Sequence, residues 1–196
     1  MPWWFWAIVA AIVVLTYLVA TIGRLERLHA RVEAARAILD SHLLRRSAVV
    51  LELAASGLLD PATSLLLATA AHRARTAAGT DREAEESALS VALRAAFDDE
   101  DGDLVALLIA DPSARSLVEE LEAVTTKIPL ARRFHNDAVR ATLAVRRHRL
   151  VRWLRLAHRF AEPTSFEMDD DPPAALARLA LIRSGPHEDW PTSRPA

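Results

Sequence analysis

The chain has 196 residues, 52% of them hydrophobic and 26% charged, and a formal net charge of −2. It contains no cysteine, which excludes a disulfide framework and a thiolate metal site. Only 5 glycines are present and no Gly-rich phosphate loop can be assembled from them, while Ala, Leu, Arg and Glu dominate. That composition favours helix, and no alternating β-branched run with turn signals points to a sheet.

Taken in chain order, the first element is apolar. Pro2 to Gly23 carries no charged side chain, and the first charged residue is Arg24. A helix of that length spans roughly 33 Å, enough for a hydrocarbon core about 30 Å thick. Trp3, Trp4, Phe5 and Trp6 cluster at its start, where indole rings suit a headgroup boundary. Arg24, Arg27, Arg31 and Arg36 follow its end, against Glu26 and Glu33. The positive-inside rule then predicts a single-pass cell-membrane anchor over residues 1–23, its N-terminus outside and the remainder in the cytoplasm. A cleaved signal peptide needs a basic leading region and a shorter apolar core, and the sequence fits neither requirement.

The anchor is predicted to continue as one helix to about Ser56. Leu25, Leu28, Val32, Ala35, Leu39 and His42 step by three and four along one coiled-coil-like packing stripe. Gly57 supplies a stop, and Asp60-Pro61 an N-cap and first-turn pair. A second helix is expected over about 61–78, with Leu66, Leu67 and Ala70 inward. Gly79 ends it, and Thr80 with Glu83 has the spacing of a capping box opening a third helix to about Phe97. The run Asp98 to Asp103 looks like a calcium loop but fails as one. With Gly102 at the sixth position, Phe97 and Leu108 fall where carboxylates are required. After the apolar Leu104–Ala110, Asp111-Pro112 opens a last long helix to about Ala161, in which Pro129 predicts a kink or a restart. Phe166 and Met168 are expected to dock on the bundle, and Pro172-Pro173 to open a short helix over 174–182. The last segment, residues 184–196, reads as irregular. The organisation expected is an anchor (1–23), a helical bundle (24–161) and a largely irregular or disordered C-terminal segment (162–196).

Charge is unevenly spread. Residues 79–122 hold 3 Arg against 13 Asp or Glu, whereas residues 130–160 hold 9 Arg against one Asp. Arg146, Arg147, Arg149, Arg152, Arg155 and Arg159 surround an apolar line with Trp153 nearby. In an up-and-down bundle this end returns towards the membrane, where each Arg near anionic lipid is worth about 1 kcal/mol. The competing reading is pairing with the acidic region around Glu119–Glu122 of the same bundle. Nucleic acid is not expected as a partner, because aromatics interleave poorly with the Arg residues and the acidic half repels phosphate.

No site for chemistry emerges. The seven histidines (His29, His42, His72, His135, His148, His158 and His187) lack the spacing of a helical zinc motif. There is no GxSxG element and no cysteine nucleophile. No catalytic, cofactor-binding or metal residue is therefore assigned, no cofactor is expected, and the chain is read as not an enzyme. Arg45-Arg46 and Arg132-Arg133 either pair with carboxylates across the bundle or form solvated patches. Of Asn136 and Asp137 one must lie nearer the core, and a buried Asn fixes helix register.

Leu28–Arg46 (LHARVEAARAILDSHLLRR) and Leu130–Val139 (LARRFHNDAV), with the N-terminal span and the closing Phe166, Glu167, Asp169 and Asp170, resemble the LemA family. The resemblance covers about residues 18–171. Ala30, Arg36, Val49, Val50 and His135 depart from the family's usual residues, marking a divergent member, and Pro129 interrupts a region the family normally keeps as continuous helix. It implies an all-α fold, an N-terminal transmembrane helix continuing into an up-and-down antiparallel four-helix bundle. It singles out Arg45, Arg46, Arg132, Arg133, Asn136 and Asp137 as family-like polar positions and carries no catalytic residues. The reading is a scaffold or protein-interaction module at the cytoplasmic membrane whose protein partner the sequence does not name. The alternative is a sensor holding a ligand or metal between helices.

Overall fold

The structure, a computed structural model, describes residues 2–98, 103–147 and 161–183, with the backbone alone for residues 103 and 180–183. These residues are helical and contain no strand: α1 (Trp3–Ala55), α2 (Pro61–Thr76), α3 (Asp81–Phe97), α4 (Asp103–Ala110), α5 (Pro112–Arg146) and α6 (Ala174–Arg183).

The chain's punctuation sets most of the helix ends. α1 stops at Ala55, and Gly57 follows at φ +74°, a left-handed conformation that closes a helix with little cost only for glycine. Asp60 caps α2, its Oδ1 accepting from the N–H of Ala62 (2.9 Å) and of Thr63 (3.1 Å), with Pro61 in the first turn. Asp111 does the same for α5 through the N–H of Ser113 (2.8 Å). Three expectations need correction. Thr80 is itself in a right-handed helical conformation and makes no capping hydrogen bond, so the expected capping box does not form. A cap residue needs extended backbone to aim its oxygen at the first turn. On α2 the inward face is Leu67, Ala71 and Ala74, whereas Leu66 is exposed and Ala70 only partly buried. Three consecutive leucines in an Ala-rich helix leave its face undetermined by periodicity. Finally, the expected restart at Pro129 does not occur: α5 runs as one helix across it, although proline supplies no N–H to the preceding turn. The described part of α5 ends at Arg146, and residues 148–160, where the helix was expected to continue, lie outside the described residues.

Two compact units are present. One comprises Met1–Asp40 with Ala131–Phe166, the other Ser41–Leu130 with Glu167–Ala196. In the first, Leu25 packs with Val145, and Val32 with Ala138 and Val139, so α1 and α5 run antiparallel there. The predicted α1 stripe holds: Leu25, Val32 and Leu39 are buried, and Leu28 and Ala35 partly so. On α5, Ala131, His135, Ala138, Thr142 and Val145 form the matching buried seam at alternating four- and three-residue steps. Before Thr21 almost every α1 side chain is exposed, and in its most apolar 18-residue window none is buried. Among the described residues, one helix is thus long and apolar enough to cross a membrane.

The second unit has a continuous core. Val49, Val50 and Leu53 of α1 pack with Leu67 and Ala71 of α2, and with Leu89, Leu93 and Phe97 of α3. Leu108 of α4, Val118 and Leu121 of α5, and Leu176 of α6 complete it.

Candidate functional site

In the second unit the polar side chains are organised around α3. Arg46, only 1% exposed, donates to Glu86 Oε2 (2.7 Å), the Glu86 carbonyl (3.1 Å) and Ser90 Oγ (3.0 Å). Burial works against the Arg46 cation, and Glu86, Asp170 and Asp169 work for it. The adjacent Arg45 is exposed and pairs with Glu120, which strengthens its hold on its proton. Both members of the Arg45-Arg46 pair meet carboxylates, and Arg46 forms a buried ion pair and is not part of a solvated patch.

Side chains before, between and after Glu86 and Ser90 on α3 hold residues 167–171, which are not helical. Glu83 Oε1 accepts from the N–H of Glu167 (3.1 Å), and Ser87 Oγ from the N–H of Asp169 (3.0 Å). Arg94 grips both carboxylate oxygens of Asp169, one of them at 3.0 Å, and also donates to the Asp171 carbonyl (2.9 Å). Asp98 Oδ1 accepts from the N–H of Ala175 (3.1 Å), at the start of α6. The Arg94 hydrogen bond holds Asp169 below the usual carboxylate range and raises Arg94 in turn. Sequence reasoning singled out Phe166, Glu167, Asp169 and Asp170, took Glu83 for a capping-box residue, and missed Ser87, Glu86, Ser90 and Arg94. Their signal was available: 83, 87, 94 and 98 step by four, seven and four along one helical face.

In the first unit, the polar side chains of α1 and α5 hold residues 161–166. His135, 2% exposed, lies with Nε2 3.2 Å from the Thr164 carbonyl. Burial lowers its affinity for a proton, with the Thr164 and Val32 carbonyls opposing and Arg36 reinforcing that shift. Asn136 is the buried member of the Asn136-Asp137 pair. Its amide exchanges two hydrogen bonds with the backbone of Phe166, donating to the carbonyl (3.1 Å) and accepting from the N–H (2.9 Å). Asp137 is exposed and pairs with Arg140 one turn on. Arg36 lies over the buried Phe166 ring, 4.5 Å from its centroid. Arg132 is partly buried and Arg133 exposed. Arg146 donates to the Ala161 carbonyl (3.2 Å), and Arg147 is exposed. Arg149, Arg152, Trp153, Arg155 and Arg159 lie outside the described residues, so the structure does not bear on the basic end as a lipid surface.

An open groove of about 450 Å³ in this unit is lined by Glu33, Arg36, Asp40, His135, Glu162 and Thr164 among others. Among the described residues, no three His, Asp or Glu side chains are placed to hold a metal ion. What these groups do visibly is bind backbone: in each unit, helix side chains capture a non-helical piece of the chain's own C-terminal region.

No protein-family model matches this chain, and no curated protein or solved structure proved similar to it.

Proposed function

We propose that this chain is a non-enzymatic, membrane-anchored helical protein of the LemA type, a scaffold or protein-interaction module at the cytoplasmic membrane. The observation that carries this reading is the first part of α1. A helix that is uncharged to Gly23, with none of its most apolar window buried, leaves a large apolar surface that water disfavours and lipid accepts. A core helix of a soluble protein would be covered. The aromatic start and the Arg-rich flank favour an orientation with the helical region in the cytoplasm. The resemblance rests on the quoted segments, with Asn136 and the Phe166–Asp170 stretch among them. The buried Arg46, Glu86, Ser90, Asn136 and Thr142 are engaged with the chain's own backbone and side chains, the arrangement of a protein that positions other groups.

Membrane fractionation tests the anchor. The full chain is expected in the pellet after alkaline extraction, with an intact mass that still includes residues 2–23. Recovery in the supernatant, or loss of that segment, overturns it. External protease on spheroplasts should leave the helical region uncut; digestion of that region reverses the orientation.

A further inference from the structure

We propose that Arg24, Arg27 and Arg31, on one flank of α1 just past its apolar stretch, form a binding site for the headgroup of an acidic phospholipid. The site rests on the membrane-anchored reading and names the lipid that the anchor selects.

The three arginines are neighbours on the helix, three and four residues apart, and all are exposed. No Asp or Glu stands three or four residues from any of them, so α1 offers them no ion pair along its own surface. The acids of the same stretch, Glu26, Glu33 and Asp40, step by seven along a different flank. Among the described residues, none of the three arginines makes an ion pair or a hydrogen bond, whereas Arg36, Arg45, Arg46, Arg73, Arg94 and Arg140 all pair with carboxylates. Like charges at this spacing repel one another on a helix. An anion held between them removes that repulsion, and the planar guanidinium fork fits phosphate oxygens.

Position identifies the anion as a lipid's. Arg24 follows directly on the last residue of the uncharged stretch, where α1 leaves the hydrocarbon and phosphates are concentrated. The Arg27 side chain turns back one helical turn, its Nη1 lying 3.8 Å from where a Cβ on Gly23 would stand. A long cationic side chain near a membrane boundary reaches for the headgroup level in this way. Leu25 is fully buried against Val145 of α5, with Leu28 beside it, so α1 cannot roll and the basic flank keeps its direction.

Binding of fluorescent short-chain lipids to the full-length chain in a neutral detergent, at low ionic strength, tests the site. Phosphatidylglycerol is expected to bind about a hundredfold more tightly than phosphatidylcholine, about fivefold for each arginine. Arg24→Gln/Arg27→Gln/Arg31→Gln should abolish that preference. The control Arg75→Gln/Arg133→Gln/Arg140→Gln removes the same charge elsewhere and should retain it. Equal binding of the two lipids by the native chain, or equal loss in the two variants, overturns the proposal. Displacement of phosphatidylglycerol by millimolar inorganic phosphate at constant ionic strength also overturns it, because the ligand is then free phosphate and not a lipid. The Arg24→Gln/Arg27→Gln/Arg31→Gln chain keeps its apolar stretch and is still expected in the pellet after alkaline extraction. A native chain that pellets but does not discriminate between the lipids refutes this site alone, whereas one that does not pellet refutes the anchor as well.

Discussion

Arg46 and Glu86 are each 1% exposed and paired at 2.7 Å. Removing one member of such a pair strands the other charge in a medium that cannot solvate it. Arg46→Ala is expected to destabilise by about 3–5 kcal/mol, and the double change Arg46→Met with Glu86→Leu to cost much less. Urea titration of the detergent-solubilised chain, followed by circular dichroism, checks both. The Arg45-Arg46 pair was visible in the sequence as a source of ion pairs. Which of the two goes inward was not, because that depends on a carboxylate 40 positions away on another helix. Asn136 was better signposted, since an adjacent Asn and Asp on one helix cannot both face water equally. What it binds, the backbone of Phe166, lies 30 residues on and has no local pattern. His135 occupies a buried seam position, and that placement has a pH consequence. Its folded pKa is depressed by burial, so its contribution to stability is full above the ordinary imidazole value of about 6.5. It is lost as pH falls towards the folded value, because the unfolded chain takes up the proton first. The melting temperature of the native chain should therefore fall more between about pH 7.5 and 5.5 than that of His135→Gln; equal falls would assign the titration elsewhere.

Helices end in this chain where residues that cannot continue them stand. Gly57, Asp60-Pro61, Asp111-Pro112 and Pro172-Pro173 all coincide with a terminus or its approach, which is why the order of helices was legible. Faces and caps were less so. The α2 face was ambiguous because Leu65, Leu66 and Leu67 are adjacent and only contact with α1 and α3 selects Leu67. The Thr80 cap failed although its spacing was right, because Thr80 has helical backbone and Glu83 is engaged by Glu167. The two sites accordingly predict opposite outcomes. Asp60→Ala removes two hydrogen bonds to the first turn of α2 and should lower the melting temperature, whereas Thr80→Ala removes no capping bond and should leave it nearly unchanged. Circular dichroism melts of the two variants decide between this assignment and the capping box.

The chain as a whole divides its charge and its grease. Its apolar surface is concentrated before Arg24, where the helix buries almost nothing, while among the described residues the first ion pair along the chain is Arg36 with Asp40. That segregation makes the association with lipid separable from the packing of the remainder. A charge placed near the middle of the apolar stretch costs roughly 2.5–3.5 kcal/mol in the membrane, and costs nothing in packing because Val13 and Val14 are exposed. Val13→Arg combined with Val14→Asp is therefore expected to move much of the chain from the membrane pellet to the supernatant. Helix content after Leu25 should be unchanged, since both compact cores lie beyond the substituted residues. Alkaline extraction followed by immunoblotting measures the first effect, and circular dichroism of the released fraction the second. A chain that stays in the pellet with both charges in place would mean that lipid is not what covers the start of α1, and that its apolar face is buried against protein.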